Sequence, residues 1–352
     1  MRINFKAVLG IVLSLLLLAW VLHDVSFAQV IHEIGRADPF YFSLATLIAT
    51  LAIPVRALRW RSMLDPVAPG ISFRARNAAT AIGFAANNLF PARVGEFARA
   101  FTLGRLTGLP VSTALGTLVI ERVFDGIAIV GLLFLAMGSP AFPSTAGGVD
   151  PRHVAAVIGA AMLAATGVLF LLVHAPERSL ALAEAVATRV LPERAARLLI
   201  DLLRAFLGGL AVLRSPRLFL ISLGWAVAQW GFLALSYWFA LLAFHITEPG
   251  FAGAVFLQSS VSLAVAIPSS PGFFGPFEGA AKLVLGLWQV RGDAIVSFAI
   301  AFHLAGFITV TLLGLWYAWR LNLRWGQLEK SEAAVEEGVE AETRAQAASR
   351  EG

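Results

Sequence analysis

The chain has 352 residues, of which 58% are hydrophobic and 14% are charged. Soluble domains average about 45–50% apolar and about 25% charged residues, so the composition excludes an ordinary soluble protein and predicts several membrane crossings. Cysteine is absent, which excludes disulfides, cysteine-ligated metals and a cysteine nucleophile. The six histidines are scattered without metal-site spacing, so we expect neither a metal nor another cofactor.

Apolar runs recur along the chain at lengths that suit membrane spans of about 20 residues. We predict an all-α polytopic membrane protein with about seven or eight transmembrane helices and two broken or re-entrant elements. The runs that we interpret as spans are Phe5 to Leu22, Phe40 to Val55, Val111 to Met137, His153 to His174, Leu218 to Phe244 and Ala294 to Tyr317.

Charged residues and loops set the expected orientation. Arg56, Arg59 and Arg61 follow the second run, where the positive-inside rule predicts the cytoplasmic rim and where Trp60 would be an interfacial anchor. We expect outside loops at His23 to Pro39, Ser139 to Arg152 and His245 to Gly250, which places both termini in the cytoplasm.

The predicted domain organisation is one transmembrane domain, residues 1–322, followed by a cytoplasmic tail, residues 323–352. Within the domain, residues 175–217 carry seven arginines and apolar residues at helical spacing, which predicts an amphipathic helical pair on the cytoplasmic face. From Glu329 onward the tail holds seven glutamates and three basic residues, so we expect it to be disordered.

The first break lies between the second and third spans. Ala78 to Ala92 is too short to cross a membrane, Asn87 and Asn88 interrupt it, and Pro91 ends it. An amphipathic helix follows from Val94 to Leu106. We predict a re-entrant hairpin buried in protein or lining a wet cavity; the alternative is a helix lying on the membrane surface.

The second break lies between Phe251 and Val290, where three prolines and three glycines occur close together. Each break has a proline, a glycine four residues later and then a glutamate: Pro91, Gly95 and Glu96 in the first, and Pro271, Gly275 and Glu278 in the second. Paired broken segments are typical of transport sites at the midplane of an inverted repeat, so we predict such a repeat here.

Eight ionisable residues lie in or beside these segments, and their formal charges sum to zero: Arg93, Glu96, Arg99, Glu121, Arg122, Asp125, Glu278 and Lys282. A charge at the bilayer centre costs roughly 2.5–3.5 kcal/mol on insertion scales, so we expect pairing across helices. Glu121 and Asp125 share a helix face while Arg122 points about 100° away, so partners must come from another element. Glu278 and Lys282 are expected to pair locally.

These residues define a candidate polar site for a phosphate-bearing headgroup, since arginine binds phosphate bidentately. Helix starts near Gly95 and Gly279 are expected to add backbone N–H donors. The candidate substrate-binding or translocation residues are Asn87, Arg93, Glu96, Arg99, Glu121, Arg122, Asp125, Pro271, Gly272, Gly275, Glu278 and Lys282. The alternative is a set of structural ion pairs. His303, alone on an apolar span, is interpreted as a core residue.

Four motifs together resemble the lysylphosphatidylglycerol synthase transmembrane-region family, also called flippase-like or uncharacterised family 0104 proteins. They are RALRW (56–60), N-x-x-x-P-x-R-x-G-E-x-x-R (87–99), ER-x-x-D (121–125) and P-x-x-P-G-x-x-G-x-x-E (268–278). The resemblance covers about residues 5–322 and implies a multi-pass protein of the bacterial inner membrane. In bifunctional members this region is thought to move a lipid between leaflets, and a separate soluble domain makes the aminoacyl lipid. We expect no synthase domain, and hence no lysyl transfer, in this chain. Two phenylalanines and an extra proline occupy what is commonly a more glycine-rich turn.

The expected function is translocation of a phospholipid or a lipid-linked intermediate between leaflets. The expected partners are membrane lipids with an anionic or phosphate-bearing headgroup and a separate lipid or glycan biosynthetic enzyme, with no nucleic acid. No Walker A motif is present, so movement would be facilitated or ion-coupled, with Glu96, Glu121 or Asp125 as candidate proton carriers. We expect no enzymatic activity; the alternatives are an intramembrane lipid-modifying enzyme and a scaffold for a lipid or glycan synthase.

Overall fold

The computed structural model describes residues 5–23, 25–90, 94–140, 142–143, 176–190, 215–267 and 269–323, with the single positions 192, 196 and 200. The predicted span from His153 to His174, most of segment 175–217, the tail from 324 onward and the candidate residue Arg93 lie outside these residues. Within the described ranges the chain forms eleven α-helices and one 3-10 turn, and no strand. The prediction of an all-α membrane protein is confirmed.

The described helices are numbered here in chain order. They are α1 (Phe5–Leu22), α2 (Phe27–Arg36), α3 (Pro39–Leu64), α4 (Phe73–Leu89), α5 (Gly95–Thr107), α6 (Val111–Met137), α7 (Pro176–Val190), α8 (Pro216–Ala243), α9 (Gly250–Ala264), α10 (Pro276–Gly286) and α11 (Gly292–Arg320), with the 3-10 turn at Pro271–Phe273. The predicted bounds of α1 and α6 agree with the structure, and the predicted spans corresponding to α8 and α11 differ from the observed helices by a few residues.

Two predicted boundaries were wrong. The expected loop from His23 to Pro39 contains α2, whose buried Val30 packs against Val21 and Val296. The second predicted span stopped at Val55, but α3 continues without interruption to Leu64. Arg56 and Arg59, which follow Val55, are buried and paired inside the protein rather than placed at its rim, whereas Arg61 is exposed.

Side chains at the helix ends explain several of the starts and stops. Asp38 accepts hydrogen bonds from the backbone N–H groups of Phe40 (2.8 Å) and Tyr41 (3.1 Å) at the start of α3. Ser72 caps α4 in the same manner. These caps satisfy N–H groups that have no partner within their own helix. Gly108 ends α5 with a φ of +71°, a conformation that glycine adopts without strain.

Three of the described helices, α3, α8 and α11, are long and apolar enough to cross a membrane. The helix α6 has similar length but carries three ionisable residues in its first half. Outward-facing side chains are large and apolar, as shown by Leu135 (73% exposed), Leu220 (65%) and Trp319 (72%). Such a surface suits contact with lipid rather than with water.

The helix α3 packs along α8, and both helices contribute residues to two apolar clusters. One cluster joins α3, α5, α6 and α8 around Trp60, Leu103 and Phe124. The other joins α8, α9, α10 and α11 around Leu257 and Phe298. The candidate polar site lies beside the first cluster.

The first break is a tight helical hairpin, because α4 and α5 approach each other closely at two glycines. A Cβ on Gly83 would lie 2.7 Å from the carbonyl oxygen of Gly95. A Cβ on Gly95 would overlap the carbonyl oxygen of Gly83. The other side of α4 touches α11, where a Cβ on Gly314 would overlap Ala85. The hairpin is therefore enclosed by α3, α6 and α11, which agrees with the predicted buried hairpin and not with a helix lying on the surface.

The second break separates α9 from α10 and is pressed against α1. Gly272 and Gly275 have φ values of +71° and +98°, and a Cβ on Gly275 would lie 2.5 Å from the carbonyl oxygen of Ser14. Only glycine meets both the conformation and the space at position 275. The predicted interruption of this segment is confirmed.

Candidate functional site

The centre of the site is a pair of buried carboxylates on α6, Glu121 and Asp125, held by arginines from α3. Arg56 Nη1 donates to Glu121 Oε1 at 2.9 Å and to Asp125 Oδ2 at 3.3 Å. Arg59 Nη1 pairs with Asp125 Oδ1 and also donates to Gln229 Oε1 at 3.1 Å. The exposed fraction of all four charged residues is 5% or less. Pairing of this kind offsets the cost of burying charge in an apolar interior.

Arg99 of α5 adds a two-pronged contact to the same cluster. Its Nη1 and Nη2 atoms donate to the two oxygens of Glu121 at 2.8 and 3.0 Å, the geometry that makes arginine–carboxylate pairs strong. The guanidinium lies 3.9 Å from the centre of the Trp60 ring. Trp60 in turn donates from Nε1 to Thr117 at 2.9 Å, so α3, α5 and α6 are joined at one level.

Arg122 is the most accessible cation of the cluster. Its side chain is 40% exposed and lies 3.5 Å from Glu121 Oε1 and 3.5 Å from Asp125 Oδ2. These distances exceed the 2.7–2.9 Å typical of charge-assisted hydrogen bonds. The prediction that the partners of these carboxylates come from another element is confirmed, since the hydrogen bonds to Glu121 and Asp125 come from α3 and α5. Arg122 remains able to direct donors toward a ligand.

The cluster is not electrically balanced over the described residues. Four guanidinium groups, Arg56, Arg59, Arg99 and Arg122, face two carboxylates, which leaves a formal excess of two positive charges. The predicted set was neutral because it omitted the two arginines of α3. It also included Lys282 and Glu278, which lie elsewhere and whose charges cancel. The excess positive charge favours an anionic ligand.

A cavity of about 280 Å³ opens beside the arginines. Its walls come from α3, α4, α5, α6, α8 and α9 and from the second break. The lining includes Arg56, Phe84, Asn87, Glu96, Arg99, Arg122, Asp125, Trp230, Ser262 and Phe273. With Glu96 counted, the formal excess around the cavity is one positive charge. A lining that combines charged and apolar groups suits an amphipathic ligand.

The first break shapes the wall of this cavity through Asn87. Its Oδ1 accepts from the backbone N–H of Gly95 at 2.7 Å, and its Nδ2 donates to Glu96 at 3.4 Å. The Gly279 N–H is also used, by the carbonyl of Gly275 at 2.8 Å. The N–H groups of Gly95 and Gly279 themselves are therefore bound within the chain. Donors at the neighbouring positions of these two helix starts stay a prediction.

The structure divides the predicted site residues into two groups. Asn87, Glu96, Arg99, Glu121, Arg122 and Asp125 lie together around the cavity and its ion cluster. Pro271, Gly272, Gly275, Glu278 and Lys282 belong to the second break and α10. This second group reaches the cavity through its neighbour Phe273.

The predicted local pair between Glu278 and Lys282 was wrong. Lys282 donates from Nζ to the carbonyl oxygens of Trp20 (3.0 Å) and Val21 (3.1 Å) at the end of α1. A cation is favoured there because the last carbonyls of a helix lack partners. Glu278 instead lies 2.6 Å from His303, which is thus a paired buried residue.

Sequence reasoning missed Arg56 and Arg59 as site residues. Their position after an apolar run matched the positive-inside rule, which assigns such residues to the cytoplasmic rim. The same interpretation placed Trp60 at the interface, whereas it is fully buried. A signal was available in the two carboxylates of α6, which needed cations from another element, and in the three-residue spacing of the arginines, which puts them on one helix face.

Comparison with known proteins agrees with the family resemblance of the motifs around this ion cluster. A family model described as lysylphosphatidylglycerol synthase TM region matches residues 7–314. The chain belongs to this family. That range includes both breaks, the ion cluster on α3, α5 and α6, and most of α11.

Two curated proteins are similar to parts of the chain. A UPF0104 membrane protein of Methanocaldococcus jannaschii is 26% identical over 228 residues, 65% of this chain and 90% of the relative. Glycosyltransferase AglD of Haloferax volcanii is 31% identical over 125 residues, 36% of this chain. The matched part spans only 20% of that glycosyltransferase.

Proposed function

We propose that this family member moves a lipid with a phosphate-bearing, anionic headgroup between the leaflets of its membrane. The observation that carries the proposal is the cavity lined by arginines with an excess of positive charge. An apolar chain anchored in the bilayer would leave only the headgroup to be accommodated in the cavity.

Arg122 is the group that we expect to hold the headgroup. It lines the cavity with a 40% exposed side chain, and its ion pairs are long. Binding an anion therefore costs it little of its interaction with Glu121 and Asp125. Arg56 and Arg99 are tied to Glu121 by hydrogen bonds of 2.8–3.0 Å. They supply a fixed positive field while Arg122 supplies the planar donors that match a phosphate.

The test is movement of a fluorescent phosphatidylglycerol in proteoliposomes containing wild type, Arg122→Gln or Arg61→Gln. Arg61 is the matched control because it lies on α3 with a 69% exposed side chain and pairs with Asp65. We expect wild type and Arg61→Gln to move the lipid. Arg122→Gln should slow it roughly tenfold to a hundredfold, since a hydrogen bond to a charged group contributes about 1.5–3 kcal/mol.

Equal movement in all three proteins would make the charges structural and would contradict the assignment of Arg122. A labelled phosphatidylcholine included in the same vesicles tests the preference for a net anionic headgroup, which we expect Arg122→Gln to reduce. Circular dichroism and gel filtration of each variant check that the comparison concerns folded protein.

The glycosyltransferase relative favours a second candidate, action on a lipid-linked glycan as cargo or as reactant. A separate biosynthetic enzyme would then supply or consume the lipid. Mass analysis of membrane lipids with and without the protein distinguishes the two. Unchanged masses with altered leaflet distribution support transport, whereas a new covalent lipid species supports an enzyme.

A further inference from the structure

A second buried polar pair lies outside the cavity, between α10 and α11. Glu278 is 1% exposed; its Oε1 lies 2.6 Å from Nδ1 of His303, and its Oε2 accepts from the N–H of Gly275 at 2.7 Å. A carboxylate oxygen and an unprotonated imidazole nitrogen both carry lone pairs. A contact this short therefore needs a proton between the two atoms. Nε2 of His303 is then free to bind or release a second proton.

Aromatic rings hold the imidazole in place. Phe277 stacks on His303 with ring centres 4.2 Å apart, and Phe274 covers it with ring centres 4.6 Å apart. The histidine side chain is 10% exposed. Its protonation therefore changes the charge of a site fixed in geometry and largely removed from water, where a charge has a large effect on neighbouring groups.

The neighbouring helices α10 and α8 also carry ionisable groups. On α10, Lys282 is bound to carbonyl oxygens at the end of α1. On α8, Tyr237 packs against Phe277 and Phe302. The α9 helix and residues 10–22 of α1 contain no ionisable side chain.

The remaining neighbours of α11 present neutral groups or contact its ends. On α3, Thr50 bonds to Thr309, and on α4, Asn88 bonds to Thr311. Glu33 of α2 lies near Arg291, before α11 begins. Arg56 and Arg59 of α3 are occupied by the carboxylates of α6. In the described part of the chain, the charge state of the pair thus depends on its own protons.

Three consecutive residues connect this pair to the cavity. Phe273 lines the cavity, Phe274 packs on His303 and Gly275 donates to Glu278. The turn is wound into left-handed conformations at Gly272, Phe273 and Gly275, with φ values of +71°, +62° and +98°. A non-glycine residue such as Phe273 is strained there, so the turn depends on the contacts that hold it.

We propose that the Glu278–His303 pair is a proton-binding site that controls access to the arginine-lined cavity and so couples proton movement to the transport proposed above. A proton that enters at Nε2 makes the pair neutral overall, with imidazolium facing carboxylate. Its release from the same nitrogen leaves one negative charge on the pair. That change acts on Gly275, and through the turn on Phe273 at the cavity wall, without any other bond being formed or broken.

A test that needs no lipid movement uses the absence of cysteine from the chain. Ser262 lines the cavity, and Ser262→Cys gives one labelling site there. We measure the rate of maleimide labelling in detergent across acidic to alkaline pH, in otherwise wild-type protein and with His303→Gln, and normalise it to Leu283→Cys on the exposed surface. We expect a pH-dependent change of severalfold that His303→Gln removes.

A second variant and a second readout complete the test. Glu278→Gln keeps an oxygen for the N–H of Gly275 but loses the carboxylate, and it should also remove the pH dependence; it carries the test if His303→Gln does not fold. A pH dependence that persists in both variants, or that wild type lacks, would overturn the inference.

In proteoliposomes, an imposed pH gradient should change the leaflet distribution of labelled phosphatidylglycerol by wild type but not by His303→Gln, which should still equilibrate the lipid. Lipid movement by wild type that ignores the gradient would overturn proton coupling alone. Absence of movement in every protein, with the labelling result intact, would instead contradict the proposed transport and leave the proton-controlled cavity supported.

Discussion

At the scale of single residues, Arg59 is the most enclosed cation of the cluster. It is 0% exposed and binds Asp125, Gln229 and the backbone carbonyl of Glu121. Asp125 also accepts from Trp230 Nε1 at 2.8 Å. Arg59 thus joins α3, α6 and α8 through one side chain, and we assign it a structural role distinct from the ligand-facing Arg122.

Replacing Arg59 by glutamine should destabilise the protein strongly. Removal of one partner from a buried ion pair leaves an uncompensated charge and costs about 3–5 kcal/mol. The same change at Arg61, whose pair with Asp65 is exposed, should cost less than about 1 kcal/mol. Thermal unfolding in detergent, followed by gel filtration, compares the two. A similar melting temperature for both variants would show that Arg59 is dispensable for the fold.

Charges show where sequence reasoning succeeds at this scale and where it stops. The need of Glu121 and Asp125 for partners from another helix followed from their shared face, and Arg99 was identified among them. The other partners could be identified only from the position of α3 in the folded protein. The local sequence around Arg56 does not give that position. The choice of His303 over Lys282 by Glu278 is likewise a contact between distant segments.

At the scale of elements, close helix contacts through small residues define the first break. The α4–α5 hairpin depends on Gly83 and Gly95, where the two backbones meet without side chains between them. Asn87 then closes the gap by binding the N–H of Gly95. The hairpin that lines the cavity is therefore held at its tip by a contact that any added methyl group would displace.

Gly95→Ala should separate α4 from α5 and cost about 1–3 kcal/mol through overpacking. Gly131→Ala on α6 is the matched control, since a Cβ there meets nothing within 4 Å and alanine favours a helix over glycine by roughly 0.5–1 kcal/mol. Thermal stability should fall in the first variant and hold or rise in the second. Equal effects in the two variants would contradict the close contact.

Element boundaries were predictable where composition changes sharply. The ends of α6 follow from Pro110 and from the glycine after Met137, and both breaks follow from clustered proline and glycine. The helix α2 escaped prediction because its ten residues are too few for a membrane span, although Phe27, Val30, Ile31 and Ile34 recur at helical spacing. Its place is fixed by packing against α11.

At the scale of the molecule, the predicted orientation places the tail in the cytoplasm and the loop from Ser139 to Arg152 outside. Single cysteines test this in a chain that has none of its own. Ser144→Cys should react with a membrane-impermeant maleimide in intact cells or spheroplasts, and Ser331→Cys only after the membrane is opened. The reverse pattern would contradict the predicted orientation.

The close contacts also determine how the molecule can deform. Backbone contact at Gly83 joins α4 to α5 and contact at Gly314 joins α4 to α11, so we expect these three helices to move as one block. The cavity lies between this block and the helices α3, α6 and α8. Arg99 of this block is hydrogen-bonded to Glu121 of α6 across the cavity. A motion that widens the cavity must therefore either break the hydrogen bonds between Arg99 and Glu121 or move α6 together with the block. The ion cluster thereby limits the size of the opening.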